Sequence, residues 1–205
     1  MPQTNIESNT LGIFGGSFNP PHKSHREIAR QIIISGKVDE LLIVPAYQNP
    51  LKLKEEMMPD DVRLEMVRLT FQNLPKTKLL FSEINRGGSS YTVETLEEIK
   101  KQRNVNIKLF LGSDTFNLIH KWKDFQLLPK LADIVIFQRK CATMQSLLTI
   151  NPKLKEIDYD YLDIDVPEIS STLIRELGSN PKALQWLHPP AKKIWTDFIS
   201  KQNKI

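Results

Sequence analysis

Short apolar runs alternate along the chain with segments in which apolar residues recur every three or four positions. The runs are predicted strands, and they lie at residues 11–14, 41–44, 79–81, 107–111, 134–137 and 159–164. The second run is apolar at every position, which is typical of a strand covered on both faces. In the last run, aromatic or aliphatic residues alternate with aspartates, which predicts a solvated face or an edge position.

Segments with helical spacing lie between these runs and after the last one. Helices are predicted from near Ser24 to a stop at Gly36, from Asp60 as its N-cap, and within residues 89–101 after a loop. After Pro167 the pattern is only helical, at residues 171–177, 182–187 and 191–201. The predicted fold class is therefore α/β. We expect one domain, residues 1–205, with a doubly wound, Rossmann-like parallel sheet over about residues 10–165, helices on both of its faces, and a small helical C-terminal cap over about residues 166–205.

Composition and charge narrow the class of protein. The 205 residues are 40% hydrophobic and 25% charged with a formal net charge of +4, which is typical of a globular protein and excludes intrinsic disorder. The single cysteine, Cys141, excludes a scaffold stapled by intrachain disulfides. The sequence shows neither a signal peptide nor an apolar run of roughly 18 residues. We expect a cytoplasmic protein that binds no membrane, and the charge is too small to indicate nucleic-acid binding.

The loop after the first strand carries the strongest chemical signal. Ligands of open parallel sheets bind beyond the carboxyl ends of the strands, and residues 15–25 read GGSFNPPHKSH at such a place. Glycines let backbone N–H groups approach an anion, and a helix N-terminus adds positive partial charge. The loop matches neither the P-loop nor the GxGxxG fingerprint. His22 and His25 lack neighbouring metal ligands, so their spacing favours contacts with phosphate over a metal site or two surface histidines.

A second anion-binding pattern lies at the start of the first C-terminal helix. Residues 169–175 read ISSTLIR, so Ser170, Ser171 and Thr172 stand one turn before Arg175. Any one of these hydroxyls is explained as a helix cap. Together with N–H groups at a helix start and a forked guanidinium, they also form a cradle for an anion. A polyphosphate held between two helix N-termini needs two such anion-binding sites, and the loop of residues 15–25 is the other one.

Four motifs, in order along the chain, resemble those of one family. GGSFNPPHKSH resembles the GGTFDPxHxGH signature of the nucleotidylyltransferase superfamily, and ISSTLIR resembles the ISSTxIR motif of pyridine-nucleotide adenylyltransferases. SYTVETL at residues 90–96 is similar to the SYTxDTL block of the bacterial nicotinate-nucleotide adenylyltransferases, and LGSD at 111–114 followed by Trp122 resembles their GxD…W block. The first motif alone is shared with other nucleotidyl transferases, but all four in sequence are highly specific.

The resemblance implies a reaction and a set of site residues. ATP and nicotinate mononucleotide give nicotinate adenine dinucleotide and pyrophosphate, with Mg²⁺ bound with ATP and with direct attack on the α-phosphorus. The residues expected to bind ATP are Gly15, Gly16, Ser17, Phe18, His22, His25, Ser170, Ser171, Thr172 and Arg175. Of these, His22, His25 and Arg175 are expected to be catalytic. Lys52, Thr92, Asp114 and Trp122 are expected to bind the mononucleotide, with Trp122 stacked on its pyridine ring.

The chain departs from the family pattern most clearly after the second strand. The family has Pro-Pro-His-Lys there, whereas this chain has Pro50, Leu51 and Lys52, so the lysine is kept and the histidine is lost. This departure puts any role of that imidazole in doubt. Ser17 for Thr, Asn19 for Asp and Glu94 for Asp are lesser changes.

Alternative functions differ in how well the sequence fits them. Two alternatives stay open: the same reaction with nicotinamide mononucleotide as the substrate, and a sensor that binds nucleotide without turnover. The length, the ISSTLIR segment and Trp122 argue against phosphopantetheine. A class I aminoacyl-tRNA synthetase shares the HxxH pattern, but the chain is too short and has no KMSKS-like segment. The sequence also leaves open whether the protein is a monomer or a homo-oligomer.

Overall fold

One parallel sheet organises the computed structural model, which describes residues 9–51, 57–137, 152–164, 166, 167 and 169–202. Within these residues its six strands are β1 (Thr10–Gly16), β2 (Glu40–Pro45), β3 (Thr77–Leu79), β4 (Asn106–Gly112), β5 (Asp133–Phe137) and β6 (Tyr159–Leu162). The strand order is β3-β2-β1-β4-β5-β6, and every neighbouring pair is parallel. The winding direction reverses between β1 and β4, as in doubly wound folds. The predicted fold class is confirmed.

Helices connect the strands and follow the last one. The α-helices are α1 (Lys23–Ile34), α2 (Asp60–Phe71), α3 (Ser82–Arg86), α4 (Thr92–Gln102), α5 (Ser113–Phe116), α6 (Leu128–Leu131), α7 (Ser171–Leu177), α8 (Pro181–Leu184) and α9 (Pro189–Gln202). Short 3₁₀ helices lie at Ile119–Lys121, Phe125–Leu127 and Pro152–Glu156. Of the helices in the described ranges, none has both the length and the apolar character that crossing a membrane requires.

The central strands are apolar throughout because both faces of the sheet are covered. On β4, Ile107, Leu109 and Leu111 are buried in a cluster that includes residues of α4. Phe110 is buried in a separate cluster that includes residues of α1. Successive side chains of a strand point to opposite faces, so each strand contributes to both clusters.

The edges of the sheet account for the predictions that were least accurate. β6 lies at one edge, as its alternating pattern predicted. β3 lies at the other edge and covers Thr77–Leu79, so the third predicted strand is present but its predicted bounds, 79–81, were wrong. Phe81 is instead the N-cap of α3. An edge strand with polar residues has no continuous apolar run to mark its bounds.

Two helix starts also differ from the prediction. Asp60 is the first residue of α2 and Pro59 is its N-cap, so the predicted cap at Asp60 was wrong. The Asp60 carboxylate forms an ion pair with Arg63 instead, at 2.6 Å. The helix predicted at 182–187 covers Pro181–Leu184, because Asn180 caps it by accepting a bond from the N–H of Lys182.

The C-terminal helices pack on α2 rather than extending the sheet. A third apolar cluster joins Met66 of α2 to Ile174 of α7 and to Trp195 of α9, and all three are fully buried. The indole N–H of Trp195 donates to the carbonyl of Gly178 at 2.8 Å. Trp195 therefore holds α9 to the end of α7 by a hydrogen bond and to α2 by apolar contact.

Replacing Trp195 by alanine is expected to lower the free energy of unfolding by about 3–5 kcal/mol, because it removes a buried aromatic ring and the donor to Gly178. Trp195→Phe keeps most of the ring volume and should cost less. Urea denaturation followed by circular dichroism measures both. Ile34→Ala is the control, since Ile34 is 64% exposed and the change should stay within about 0.5 kcal/mol. A Trp195→Ala protein as stable as the control would contradict this account.

Candidate active site

A cavity of about 350 Å³ opens beyond the carboxyl ends of β1, β2 and β4, where the strand order reverses and where open α/β sheets bind ligands. Its lining includes residues from all four motif segments. The predicted site residues found there are Gly15, Gly16, Ser17, Phe18, His22, His25, Thr92, Asp114, Trp122, Ser170, Ser171 and Thr172. Lys52 lies outside the described residues, and Arg175 is not among the lining residues.

Phe18 shapes the loop between β1 and α1. It is buried and has a φ of 47°, in the left-handed region that a large side chain rarely adopts. Its ring packs edge-on against Phe14 and Phe71, with centroid distances of 5.8 and 5.5 Å. A Cβ on Gly16 would lie 3.2 Å from the Phe18 ring, so the close approach of the backbone there favours glycine. The sharp turn is therefore held in place by a side chain in the core.

His22 and His25 lie against each other at the start of α1. Their ring centroids are 3.7 Å apart and their planes are tilted by 32°. The backbone N–H of His22 donates to Nδ1 of His25 at 3.2 Å, a contact that a Glu or Gln makes in the usual capping box. Because Nδ1 accepts this bond, the neutral His25 ring carries its proton on Nε2. His25 is half-buried and lines the cavity, so its imidazole is oriented by its own helix start.

The start of α7 is bonded directly to the first loop. The Ser170 side chain caps α7 by accepting a bond from the N–H of Leu173 at 3.1 Å. The Ser171 hydroxyl donates to the Pro20 carbonyl at 2.8 Å, and the Arg175 guanidinium donates to the Asn19 carbonyl at 2.5 Å. The two anion-binding patterns of the sequence therefore meet in space. Arg175 reaches the loop that borders the cavity rather than the cavity lining.

Arg63 of α2, which the sequence did not single out, binds the same loop. Its side chain is fully buried in the first turn of α2. It donates to the Ser17 carbonyl at 2.8 Å and pairs with Asp60 at 2.6 Å. A buried cation needs such partners, because desolvation of its charge is costly. In the sequence Arg63 is only a cation three residues after Asp60, which is an ordinary spacing for an ion pair on an exposed helix face. This pattern does not indicate that Arg63 is buried.

Glu83, which the sequence also did not single out, lines the cavity from α3. It is 7% exposed, and its carboxylate accepts a bond from the Thr95 hydroxyl at 2.8 Å and a second from the Ser90 side chain. Burial raises the pKa of Glu83 above its ordinary value, and the hydrogen bonds from Thr95 and Ser90 and the charge of Arg86 oppose this rise. The sequence offers no signal for this residue, since nothing local shows that a glutamate in a short helix is buried.

Trp122 and Asp114 complete the wall that follows β4. Trp122 is half-buried, lines the cavity and packs against the core. The neighbouring Lys123 lies 4.6 Å from the centroid of the Tyr91 ring and pairs with Glu94 at 2.7 Å, which ties this segment to the start of α4. Asp114 is exposed at the start of α5, and its Oδ1 lies 2.6 Å from where a Cβ on Gly112 would stand.

The loop after β2 contributes an apolar side chain to the cavity, and no metal-binding cluster is found in the described part of the chain. Leu51 is exposed and lines the cavity, and its N–H donates to Oδ1 of Asn49 at 2.9 Å. An alkyl side chain therefore stands where the family motif has an imidazole. Within the residues that the structure describes, no group of three or more His, Cys, Asp or Glu side chains could hold a metal ion.

Comparisons with known proteins agree with this geometry. A model of the cytidylyltransferase-like family matches residues 13–177. A probable nicotinate-nucleotide adenylyltransferase of Flavobacterium johnsoniae is 33% identical over 94% of this chain and 97% of its own length. The nicotinate-nucleotide adenylyltransferase of Bacillus subtilis is 32% identical over 91% of this chain and 95% of its own. The structure of Plasmodium falciparum nicotinic acid mononucleotide adenylyltransferase complexed with NaAD shares the fold, with a TM-score of 0.72, 21% identity, and coverage of 95% of this chain and 96% of that one.

Arg63→Lys is expected to lower the free energy of unfolding by about 1–3 kcal/mol, because an ammonium cannot span the Ser17 carbonyl and the Asp60 carboxylate as the forked guanidinium does. Urea denaturation measures the change. Arg68→Lys on the same helix is the matched control, since Arg68 is exposed and its contacts, a 3.4 Å pair with Glu65 and a position 5.1 Å from the centroid of the Phe81 ring, are ones that an ammonium can also make. Equal stability of the two variants would show that Arg63 does not support the loop.

Proposed function

The chain belongs to the cytidylyltransferase-like family and, within it, to the nicotinate-nucleotide adenylyltransferases, enzymes of NAD biosynthesis, and we propose that it joins ATP to nicotinate mononucleotide by direct displacement at the α-phosphorus. The products are nicotinate adenine dinucleotide and pyrophosphate. The observation that carries the proposal is that four motif segments, far apart in the sequence, line one cavity at the carboxyl ends of β1, β2 and β4.

The proposed reaction needs no covalent bond between the protein and either substrate. The mononucleotide phosphate is already an anion, so it attacks without a general base. A bond forms from its oxygen to the α-phosphorus, and the bond from that phosphorus to the bridging oxygen breaks, leaving the electron pair on pyrophosphate. The protein has to bring two anions together and stabilise the charge that moves to the leaving group.

His25 is the proposed donor to the ATP phosphates. Its orientation supports this role, because the bond from the His22 N–H to Nδ1 leaves the proton on Nε2. His22 is buried beneath it, fixes its ring by close contact and is the second catalytic histidine of the proposal. A donor held in place before the reaction needs no reorganisation as charge develops.

The remaining ATP contacts come from the first loop and from α7. The backbone of Gly15, Gly16, Ser17 and Phe18 binds phosphate oxygens, as do the hydroxyls of Ser170, Ser171 and Thr172. Arg175 supplies positive charge for the departing pyrophosphate. Its bond to the Asn19 carbonyl supports this role, because it holds the guanidinium beside the phosphate-binding loop.

The mononucleotide occupies the other side of the cavity. Trp122 stacks on the pyridine ring, for which its half-buried position in the cavity wall is suitable. Thr92 and Asp114 bind the nicotinate nucleoside. Lys52 binds its phosphate, a role that rests on the motif alone because Lys52 lies outside the described residues. This division puts the two substrates on either side of the end of β1.

Nucleotidyltransferases of this type generally use a divalent metal ion, and we propose Mg²⁺. Among the described residues no group of three acidic or histidine side chains could hold a metal ion, and ATP phosphate oxygens together with water would supply its oxygen ligands. That set of oxygen ligands is the one Mg²⁺ prefers in nucleotide sites. When bound, the ion neutralises phosphate charge.

With ATP and Mg²⁺, the purified protein is expected to convert nicotinate mononucleotide to the dinucleotide with a higher kcat/KM than nicotinamide mononucleotide. Chromatography measures the dinucleotide and a coupled assay measures pyrophosphate, and EDTA should stop both. No dinucleotide from either substrate would overturn the function. ATP binding without pyrophosphate release would favour a sensor, and a preference for the amide would show that the substrate is wrong.

His25→Ala is expected to lower kcat at least about 100-fold, the scale of losing a preorganised donor to the transition state. His120→Ala is the control, because His120 does not line the cavity. His120→Ala should unfold at the wild-type urea concentration. His25→Ala should unfold at a lower one, because the His22 N–H loses its acceptor, but it should still be folded under the assay conditions. Turnover by His25→Ala near that of the control would remove His25 from the mechanism.

A further inference from the structure

A buried carboxylate lines the cavity but has no part in the reaction described above. Glu83 belongs to the short helix α3, which lies between β3 and α4. It is 7% exposed, and it is the acidic residue among the buried polar side chains of the described chain. Burying a carboxylate costs free energy unless hydrogen bonds compensate it. The hydrogen bonds that compensate the burial of Glu83 also restrain the segments that donate them.

The carboxylate of Glu83 joins both ends of the segment that begins α4. The Thr95 hydroxyl donates to Oε1 at 2.8 Å, and the Ser90 side chain is its second partner. Between these two residues lie Tyr91 and Thr92, which both line the cavity. Since one group binds the segment at Ser90 and at Thr95, the backbone between them has little freedom to change shape.

The same network reaches the loop after β2. The Ser90 hydroxyl accepts a bond from the N–H of Tyr47 at 2.8 Å, and the N–H of Ser90 donates to the Gln48 carbonyl at 2.9 Å. The residues that follow, Asn49 to Leu51, line the cavity. Glu83 therefore lies at the junction of two walls of the cavity, and Ser90 links these walls.

We propose that Glu83 is a positioning residue for the mononucleotide. It holds Ser90 and Thr95, and through Ser90 the loop after β2, in the arrangement that receives the nicotinate side of the substrate. It touches neither substrate nor the reacting phosphates. The inference rests on the proposed function for the identity of the ligand, while the contacts that it assigns to Glu83 concern the protein alone.

Variant kinetics test the proposal. Glu83→Ala should raise KM for nicotinate mononucleotide about tenfold or more, the scale of losing hydrogen bonds to a charged group. The KM for ATP and kcat should stay within about twofold, because the ATP side of the cavity does not use this network. Glu83→Gln keeps one acceptor oxygen and nearly the same volume, so it should give a smaller rise. Glu98→Gln is the matched control: Glu98 also faces Arg86, at 3.5 Å, but is 43% exposed and does not line the cavity.

Amide hydrogen exchange of the ligand-free protein gives a readout independent of activity. The N–H groups of Tyr47 and Ser90 should exchange faster in Glu83→Ala than in wild type, and Glu98→Gln should leave them unchanged. If Glu83→Ala does not fold, Glu83→Gln carries the test, with faster exchange at the same two amides and a raised KM for the mononucleotide alone.

Two results would overturn the proposal. One is unchanged exchange at Tyr47 and Ser90 with unchanged KM values. The other is a loss shared equally by kcat and both KM values, which indicates a general structural role. A wild-type protein that forms no dinucleotide would instead refute the proposed function, and the exchange measurement would still decide whether Glu83 holds the two segments.

Discussion

The carbonyl groups of the loop after β1 are held by side chains from other elements, and the cavity depends on this constraint. Arg63 of α2 binds the Ser17 carbonyl, Arg175 of α7 binds that of Asn19, and Ser171 binds that of Pro20. A trans peptide is planar, so the carbonyl of Ser17 directs the N–H of Phe18 to the opposite side, away from α2. Packing of the C-terminal helices on α2 through Trp195 keeps both sets of donors in place.

The two sides of the cavity are built on the same physical principle. Beside the loop after β1 a buried cation, Arg63, is satisfied by a backbone carbonyl and a carboxylate. Beside the start of α4 a buried carboxylate, Glu83, is satisfied by two hydroxyls. A buried charge is stable only while its partners stay in place, so each one orders the backbone around it. Each charge therefore supports the surface of the cavity through the segments that it orders.

Local patterns predicted the central part of the sheet and the edge strand β6 well, and the edge at β3 poorly. β1, β2, β4 and β5 are covered on both faces, so their apolar runs marked their positions within one or two residues. β3 is a short edge strand with polar residues, and α3 has too few residues for a helical period to appear. Glu83 lies in that unpredicted helix, and the structure of this wall could not be inferred before its helix was known.

By itself the sequence determined the order of strands and helices, the two anion-binding patterns, the family, and a set of expected site residues, of which His22, His25, Ser171 and Trp122 line the cavity. These features depend on spacing over a few residues, which a chain displays directly. Only the tertiary structure decided that Arg63 and Glu83 are buried, that Arg175 is bonded to Asn19, and that Ser90 joins two walls of the cavity. Burial and partners are properties of segments that meet in space, here up to 156 positions apart, and no local pattern records which segments will meet.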